Sequence, residues 1–532
     1  MKNNKIFKRI ITLCLLVIAA VMFVPGVLAA ISTDNNSLTV SGLETGTGKT
    51  VSVNLYKIIN VNTKNGQPQS PVYKWDTNVA TWLNTKAPAA YKDYIDADGN
   101  VTDAFNKALE TSKVIDQFYD DLSAAIRGGD VTGLSPVKTT TANNVASVTF
   151  EGLDLGVYFV LANGGMKVYK PTSVNVVPEK DQTTGDWVVK NTSVELKSSS
   201  PSIVKTVEDA QAAQAAAATG FIGKKVKYTL KITVPHYPEN TTNKTLYIED
   251  QLSKGLDFVE DTTGQYAMVV KSDTNVTLVE GTNFSLDYTN RKLTLHFDGD
   301  ETETGKNKYY NTIKTYDEIT ITYYATVNEN AIVKAENTAT LHYNNDPYGY
   351  EDPHPSTPEV TVYTYGFDVT KVDKNNPNGE ALKGAEFIIS KNADASNPLS
   401  FVALDGKPGE YRLAKDGETG TTTLVATNGT LKVYGLDTGD YYVKETKAPA
   451  GYVINPVPQP KTLTDSEPNG VLDDQGEDDN LLTFNFENSD SIIDLPVTGG
   501  IGTLIFSIIG VLFMGISVVL VRNILKKKEV QL

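Results

Sequence analysis

Three residues toward the end of the chain are of types that could bond to one another. A lysine stands in "FDVTKVDK" (Lys371), a glutamate in "YYVKETKAPAGY" (Glu445) and an asparagine in "FNFENSD" (Asn488). A lysine taken out of water sheds its proton because desolvation disfavours the charged form, which leaves an amine nucleophile. A neighbouring buried carboxyl, kept protonated, can donate a hydrogen bond to the asparagine carbonyl and polarise it. Attack of the amine on the amide carbon then expels ammonia and leaves a Lys–Asn amide. Each of these residue types ordinarily lies exposed on a strand, so the chemistry depends on the elements that carry them. If the first and last strands of this region pair, Lys371 and Asn488 come side by side and face an aromatic interior.

Strands are what the surrounding sequence predicts. Runs such as "KVKYTLKITV", "DEITITYYATV" and "GDYYVKET" alternate apolar and polar residues between Gly, Asn, Asp and Pro, as half-buried strands do. The fold class expected is all-β, as tandem Ig-like sandwiches. One exception is Thr102 to Arg127, where Phe105, Leu109, Val114, Phe118, Leu122 and Ile126 recur at helical spacing and predict one or two helices inserted in the first domain. "GLDLGVYFVLA" (Gly152 to Ala162) and "GLDTGDYYVKE" (Gly435 to Glu445) match at the Gly-Leu-Asp, second Gly, Tyr and Val positions, which predicts two related domains. In that alignment Ala162 stands where Glu445 does.

At 532 residues the chain is too long for one core of the common size, about 100 to 150 residues. Pro- and Ser-rich links place the divisions: 1–30 a signal, 31–197, 198–363 and 364–490 three domains, and 491–532 an exit segment. The opening, "MKNNKIFKRIITLCLLVIAAVMFVPGVLAAIS", reads as a secretory signal cut near Ala29 or Ala30. Cys14, the only cysteine, lies inside it, so an exported multi-domain chain must find rigidity without disulfides. The uncharged run Ile501 to Val521 is long enough to cross a bilayer, and Arg522 with Lys526 to Lys528 would hold the tail inside. A net charge of -16 repels phosphate backbones and excludes nucleic acid as a partner.

"ALKGAEFII", "YYVKETKAPAGY" and "FENS" together resemble the collagen-adhesin B-type domain of Gram-positive surface proteins, in which a Lys–acid–Asn triad forms an isopeptide bond by itself. The resemblance makes Lys371 and Asn488 the bonded pair and Glu445 the acid. Residues 198–363 resemble the fimbrial isopeptide-forming domain: "PSIVKTVED" supplies Lys205, "TLYIEDQLSKGLDFV" supplies Asp250 and "KAENTATLHY" supplies Asn337. Glu249 is the alternative acid, since adjacent residues point to opposite faces of a strand; the resemblance favours Asp250. Such cross-links restrain the unfolded chain as disulfides do and resist reduction. In the first domain "VNLYKII" offers Lys57 and "VVKNTSV" offers Asn191, but Ala162 holds the acid position, so no bond is expected there.

"LPVTG" (Leu495, Pro496, Val497, Thr498, Gly499), followed by an apolar span and a basic end, resembles the cell-wall sorting signal. The resemblance implies that a sortase cysteine attacks the carbonyl of Thr498 and holds the chain as a thioester; Pro496 kinks the peptide for a bent groove. Major pilins carry the acceptor lysine late in the first domain, after a tryptophan, with the spacing W-x-x-x-V-x-V-Y-P-K. Here "WVVKNTSVELK" runs from Trp187 to Lys197, with Glu195 and Leu196 in place of Tyr-Pro and one residue extra. Lys197 is the leading candidate, with Lys190 and Lys180 as rivals.

The chain is thus expected to be the shaft subunit of a covalent pilus, secreted and attached to the cell wall after transient membrane anchoring. The implied partners are a class C sortase, a housekeeping sortase, other copies of the chain and peptidoglycan, with accessory pilins and a host surface as further ones. A monomeric wall-anchored adhesin or a minor pilin is the alternative. No turnover enzyme is expected, since the isopeptide reactions are single self-modifications. No cofactor or metal is expected either: His236, His296, His342 and His354 lack metal spacing, and "DDQGEDDN" (Asp473 to Asn480) reads as a solvated acidic loop rather than a calcium site.

Overall fold

The computed structural model describes residues 36–490, apart from 66, 184, 209–213, 239–240, 242, 261–266, 300–306, 347–356 and 466–479, together with 509–514 and 516–519. The secretory signal, the LPVTG motif and most of the acidic loop at 473–480 lie outside the described residues. Of the apolar run at 501–521, residues 509–514 and 516–519 are described, as helix; among the described residues no helix is long and apolar enough to cross a membrane.

Strand alternation organises the rest of the chain into paired sheets. In the second region one sheet has the order 203–207, 225–233, 318–327, 268–272, 277–278, and the other 217–219, 359–363, 334–343, 246–252, 292–296, 285–289. Both inner faces feed one core that includes Tyr228, Tyr323, Leu230, Ile248 and Leu341. In the third region a sheet of order 401–403, 410–413, 430–436, 365–373, 481–488 faces one of order 424–426, 385–390, 439–447, 459–463. Phe367, Phe387, Leu431, Val443 and Phe486 fill the space between them.

The first region repeats the connectivity of the third. Ser37–Ser41 lies between Ser147–Glu151, antiparallel, and Thr192–Glu195, parallel. Tyr365–Asp373 lies likewise between Thr430–Leu436, antiparallel, and Leu481–Asn488, parallel. Thr50–Lys64 pairs with Lys138–Asn143 and Gly156–Asn163, as Ala385–Ser390 pairs with Leu424–Ala426 and Gly439–Lys447. The Gly-Leu-Asp corner is also shared: the Tyr158 hydroxyl donates to the Asp154 carbonyl at 2.7 Å and the Tyr441 hydroxyl to the Asp437 carbonyl at 2.9 Å.

The expected helical insert is two helices, Asp103–Leu109 and Ser112–Arg127, separated where Thr111 turns extended. A further helix, Thr77–Thr85, capped by the Asp76 carboxylate on the Asn78 N–H, and a 3₁₀ turn, Ala89–Tyr94, complete the insert. Its aromatic core of Trp75, Tyr91, Tyr94, Phe105 and Phe118 is separate from the core beneath the Gly-Leu-Asp corner. At the link to the second region, Ser198–Ser199 still pairs with Val168–Tyr169, and Val168 packs into the second core.

Candidate cross-linking sites

In the second region Lys205 is the inward residue of a strand whose alternation also buries Ile203 and Val207. Asp250 and Asn337 point inward from adjacent strands of the facing sheet, two residues out of direct register, so they are diagonal neighbours on one face. Their side chains meet in the core, where Lys205 is 4%, Asp250 1% and Asn337 0% exposed. Lys205 Nζ lies 2.5 Å from Asp250 Oδ1 and 2.5 Å from Asn337 Oδ1. The Tyr323 hydroxyl donates to Asp250 Oδ2 at 2.7 Å and accepts from Asn337 Nδ2 at 2.6 Å. Burial pulls Lys205 down to about 8 against the opposing pull of Asp250, which makes the free amine far easier to reach near neutrality than in an exposed lysine. Glu249 faces the other way and pairs with Lys292 at 2.5 Å.

In the third region the lysine and asparagine strands are themselves partners. Tyr365–Asp373 and Leu481–Asn488 run parallel with Lys371 opposite Phe486 and Asp373 opposite Asn488, and Glu445 reaches in from the facing sheet. All three side chains are fully buried. Lys371 Nζ donates to the Phe486 carbonyl at 2.8 Å, lies 5.3 Å from the Phe486 ring centre, and is 3.8 Å from Glu445 Oε1. Glu445 Oε2 accepts from Asn488 Nδ2 at 2.9 Å and from the Asn455 N–H at 2.8 Å. Asn488 Nδ2 also donates to the Val453 carbonyl at 2.9 Å. Glu445 Oε1 and Asn488 Oδ1 are buried without a hydrogen-bond partner, a cost that ordinary cores avoid. Burial lowers Lys371 to about 8 and raises Glu445, so both shifts favour a neutral amine beside a neutral acid.

The carboxyl therefore engages the amide at its nitrogen rather than at its carbonyl, as the sequence had suggested. One oxygen faces the amine that must lose a proton, and the other holds the nitrogen that must gain one. That arrangement suits acyl transfer from Asn to Lys with ammonia as the leaving group.

The first region keeps the scaffold without the chemistry. Ser41 pairs with Ser147 as Thr370 pairs with Thr430, and the sequence repeat superposes Ser147 on Thr430, so Gly42 occupies the place of Lys371. Ser41 also pairs with Glu195 as Thr370 does with Asn485, which puts Leu196 at Phe486 and Ser198 at Asn488. Lysine, acid and asparagine are thus Gly42, Ala162 and Ser198. Gly42 sits at φ +82°, and a Cβ there would come 2.8 Å from the Leu196 carbonyl oxygen. Lys57 lies on the second strand, where its counterpart is Lys391; its ammonium is 3.9 Å from Asp154. The Asn191 side chain accepts the Ser37 N–H and precedes the last strand. The pair Lys57 and Asn191 is therefore not the counterpart of Lys371 and Asn488.

Lys197 is exposed at the end of that last strand, and its carbonyl accepts the Lys170 N–H. Lys190 is exposed and paired with Glu179 at 2.8 Å; Lys180 is exposed on a short hairpin opposite Trp187. Tyr323, which the sequence reading passed over, stands in "ITITYYATV", where alternation alone puts one of the two tyrosines inside.

Comparison with known proteins agrees with this architecture. Residues 222–347 match the Gram-positive pilin backbone subunit 2, Cna-B-like domain, and residues 366–476 the SpaA prealbumin-like fold domain. The chain is 27% identical over 386 residues to the fimbrial subunit type 2 of Actinomyces naeslundii, covering 65% of this chain and 64% of that protein. It is 26% identical over 345 residues to the trypsin-resistant surface T6 protein of Streptococcus pyogenes serotype M6, covering 58% and 56%. The chain thus spans somewhat under two thirds of the length of these curated relatives. In fold it is similar to the three-domain T6 backbone pilin of Streptococcus pyogenes, with a TM-score of 0.52 at 21% identity, covering 82% of this chain and 81% of that one.

Proposed function

We propose that this chain, which carries the backbone and prealbumin-like domains of Gram-positive pilins, is the repeating shaft subunit of a covalent pilus. The observation that carries the reading is a pair of buried Lys–acid–Asn triads, one within each pilin-type unit. Lys205 joins Asn337 with Asp250 as the acid, and Lys371 joins Asn488 with Glu445 as the acid, each releasing one ammonia. The three units run over 31–197, 198–363 and 364–490, and the first carries no cross-link.

Polymerisation joins the C-terminal sorting motif of one copy to a lysine late in the first unit of the next. The signal at 1–30 exports the chain and the span after LPVTG parks it in the membrane. A pilus sortase takes Thr498 as its acyl group and passes it to Lys197 of the next copy; a housekeeping sortase joins the finished fibre to peptidoglycan. Lys197 fits the acceptor role because it is exposed at the last strand of the first unit, whereas Lys190 is engaged by Glu179. Immunoblotting of wall extracts tests the reading. A ladder of high-mass species is expected, and a single band at the subunit mass refutes it.

A further inference from the structure

The two triads differ in a way that points to a fourth participant in the second. In the third unit the acid touches the leaving nitrogen directly, Glu445 Oε2 to Asn488 Nδ2 at 2.9 Å. In the second unit the acid is an aspartate, one methylene shorter, and its second oxygen ends on the Tyr323 hydroxyl instead; that hydroxyl in turn meets Asn337 Nδ2. We propose that Tyr323 is a catalytic residue of the second cross-link, relaying a proton between Asp250 and the departing amide nitrogen of Asn337. The proposal rests on the reading of Lys205, Asp250 and Asn337 as a bond-forming triad.

The proton path closes without any outside reactant. In the reactive state the relay runs opposite to the resting hydrogen bonds: Asp250 carries one proton on Oδ2 and donates it to the Tyr323 oxygen, whose own proton turns to Nδ2 once attack at Cγ leaves that nitrogen with a free lone pair. The Lys205 amine attacks Cγ of Asn337 and the new C–N bond sends the carbonyl electron pair to Oδ1. Lys205 Nζ gives a proton to Asp250 Oδ1, Asp250 Oδ2 gives its proton to the Tyr323 oxygen, and the Tyr323 hydroxyl proton passes to Nδ2. The Cγ–Nδ2 bond then breaks, the carbonyl re-forms and ammonia leaves. Aspartic acid and tyrosine end as they began, with the acid's proton moved from one oxygen to the other.

Tyr323 is built to hold this place. It sits on the 318–327 strand opposite Tyr228, with the two rings stacked at 5.4 Å and 22°, and its other side lies against the Phe258 ring at 5.1 Å. It is 1% exposed, so no water competes for the hydroxyl. Burial and the nearby Asp250 hold its pKa well above the ordinary tyrosine value, which keeps the proton on the oxygen until the leaving nitrogen becomes basic.

Intact-mass measurement of the secreted chain, followed over time after synthesis, tests the relay. The wild-type chain loses two ammonias. Tyr323→Phe, which keeps the ring stack, is expected to form the second-unit bond at least about a hundredfold more slowly while the third-unit bond forms normally, in line with the usual contribution of a positioned proton donor. The double variant Asp250→Glu, Tyr323→Phe places a longer acid where the hydroxyl was and should regain the bond. Loss of both ammonias from Tyr323→Phe at the wild-type rate overturns the relay. Failure of the double variant to regain the bond also overturns it, since a carboxyl brought to Nδ2 would then not replace the hydroxyl. A wild-type chain that retains both ammonias, or whose cross-linked peptides map elsewhere, refutes the triad reading itself rather than the relay.

Discussion

Replacing Glu445 by glutamine tests the proposed cross-link of the third unit and isolates what it would contribute. The change keeps the shape of the side chain, and a carbonyl oxygen can still accept from Asn488 Nδ2 and the Asn455 N–H, but no carboxyl remains to exchange protons. Once the mass change of the substitution itself is subtracted, the variant should therefore retain one ammonia more than the wild type. A bond between Lys371 and Asn488 closes a loop of about 117 residues, for which the chain-entropy relation developed for disulfides gives about 5 kcal/mol at room temperature. With an unfolding entropy of about 2.1 cal/mol/K per residue over a unit of about 125 residues, the melting transition falls by about 15–20 °C. Any weakening of the retained hydrogen bonds adds only about 1 kcal/mol to this. Scanning calorimetry with the second unit as internal reference measures the shift, and limited trypsin digestion should cut the third unit first. A variant of wild-type mass, or one whose third unit melts within a few degrees of wild type, would falsify the assignment of Glu445 as the acid.

Three further outcomes follow from the same geometry. In Glu445→Gln, Lys371 remains an amine whose folded pKa is depressed, about 8 in the native surroundings against an ordinary value of 10.5. The unfolded chain then binds the extra proton, so folding is penalised below the folded pKa and the third unit gains stability as pH rises toward about 10.5; a Lys371–Asn488 amide in the wild type would not titrate, and an identical pH profile for both would sink the argument. Glu445→Asp withdraws the carboxyl by one methylene with no tyrosine beside Asn488 Nδ2, so the third bond should be lost; intact mass reads this, and normal bonding would show that reach to the leaving nitrogen is immaterial. Lys197→Ala should abolish the ladder on immunoblots of wall extracts, whereas a persisting ladder moves the acceptor to Lys190 or Lys180.

How far the site could be read from sequence depended on which face of a strand a residue occupies. Alternation fixes that face only relative to the neighbours, so Asp250 and Glu249 stayed interchangeable until the register with 334–343 and 292–296 set one against Asn337 and the other beside Lys292. The pairing of first and last strands entered the sequence reading only as a condition, with the family resemblance behind it, because residue types alone set neither partner nor direction; the parallel register of 365–373 with 481–488 comes from the structure. The first unit misled for a related reason. Its first strand, "SLTVS", has no lysine, so Lys57 on the next strand stood as the candidate, and only the ladder at Ser41 shows that Gly42 is the equivalent position. The helix Thr77–Thr85 had a visible cap in Asp76 and an apolar face of Val79, Trp82 and Leu83, but it is too short to stand out between strands.

The different acids of the two triads follow from where the strands lie. In the third unit Lys371 and Asn488 share a sheet and the acid crosses the sandwich from the facing one, a span that favours the longer glutamate. In the second unit Asp250 and Asn337 share a sheet, close enough for aspartate, and the lysine crosses instead. The consequences for stability also differ. A Lys205–Asn337 amide would staple the two sheets of the second unit through its core, opposing their separation. A Lys371–Asn488 amide would lock neighbouring strands in register and secure Leu481–Asn488, which lies at the edge of its sheet and is the last described strand before residues 491–532. In the first unit the equivalent edge strand, Thr192–Glu195, has Gly42 and Ser198 in the places of lysine and asparagine, and the chain beyond it is held by backbone pairing alone, the Lys170 N–H on the Lys197 carbonyl and Ser198–Ser199 against Val168–Tyr169.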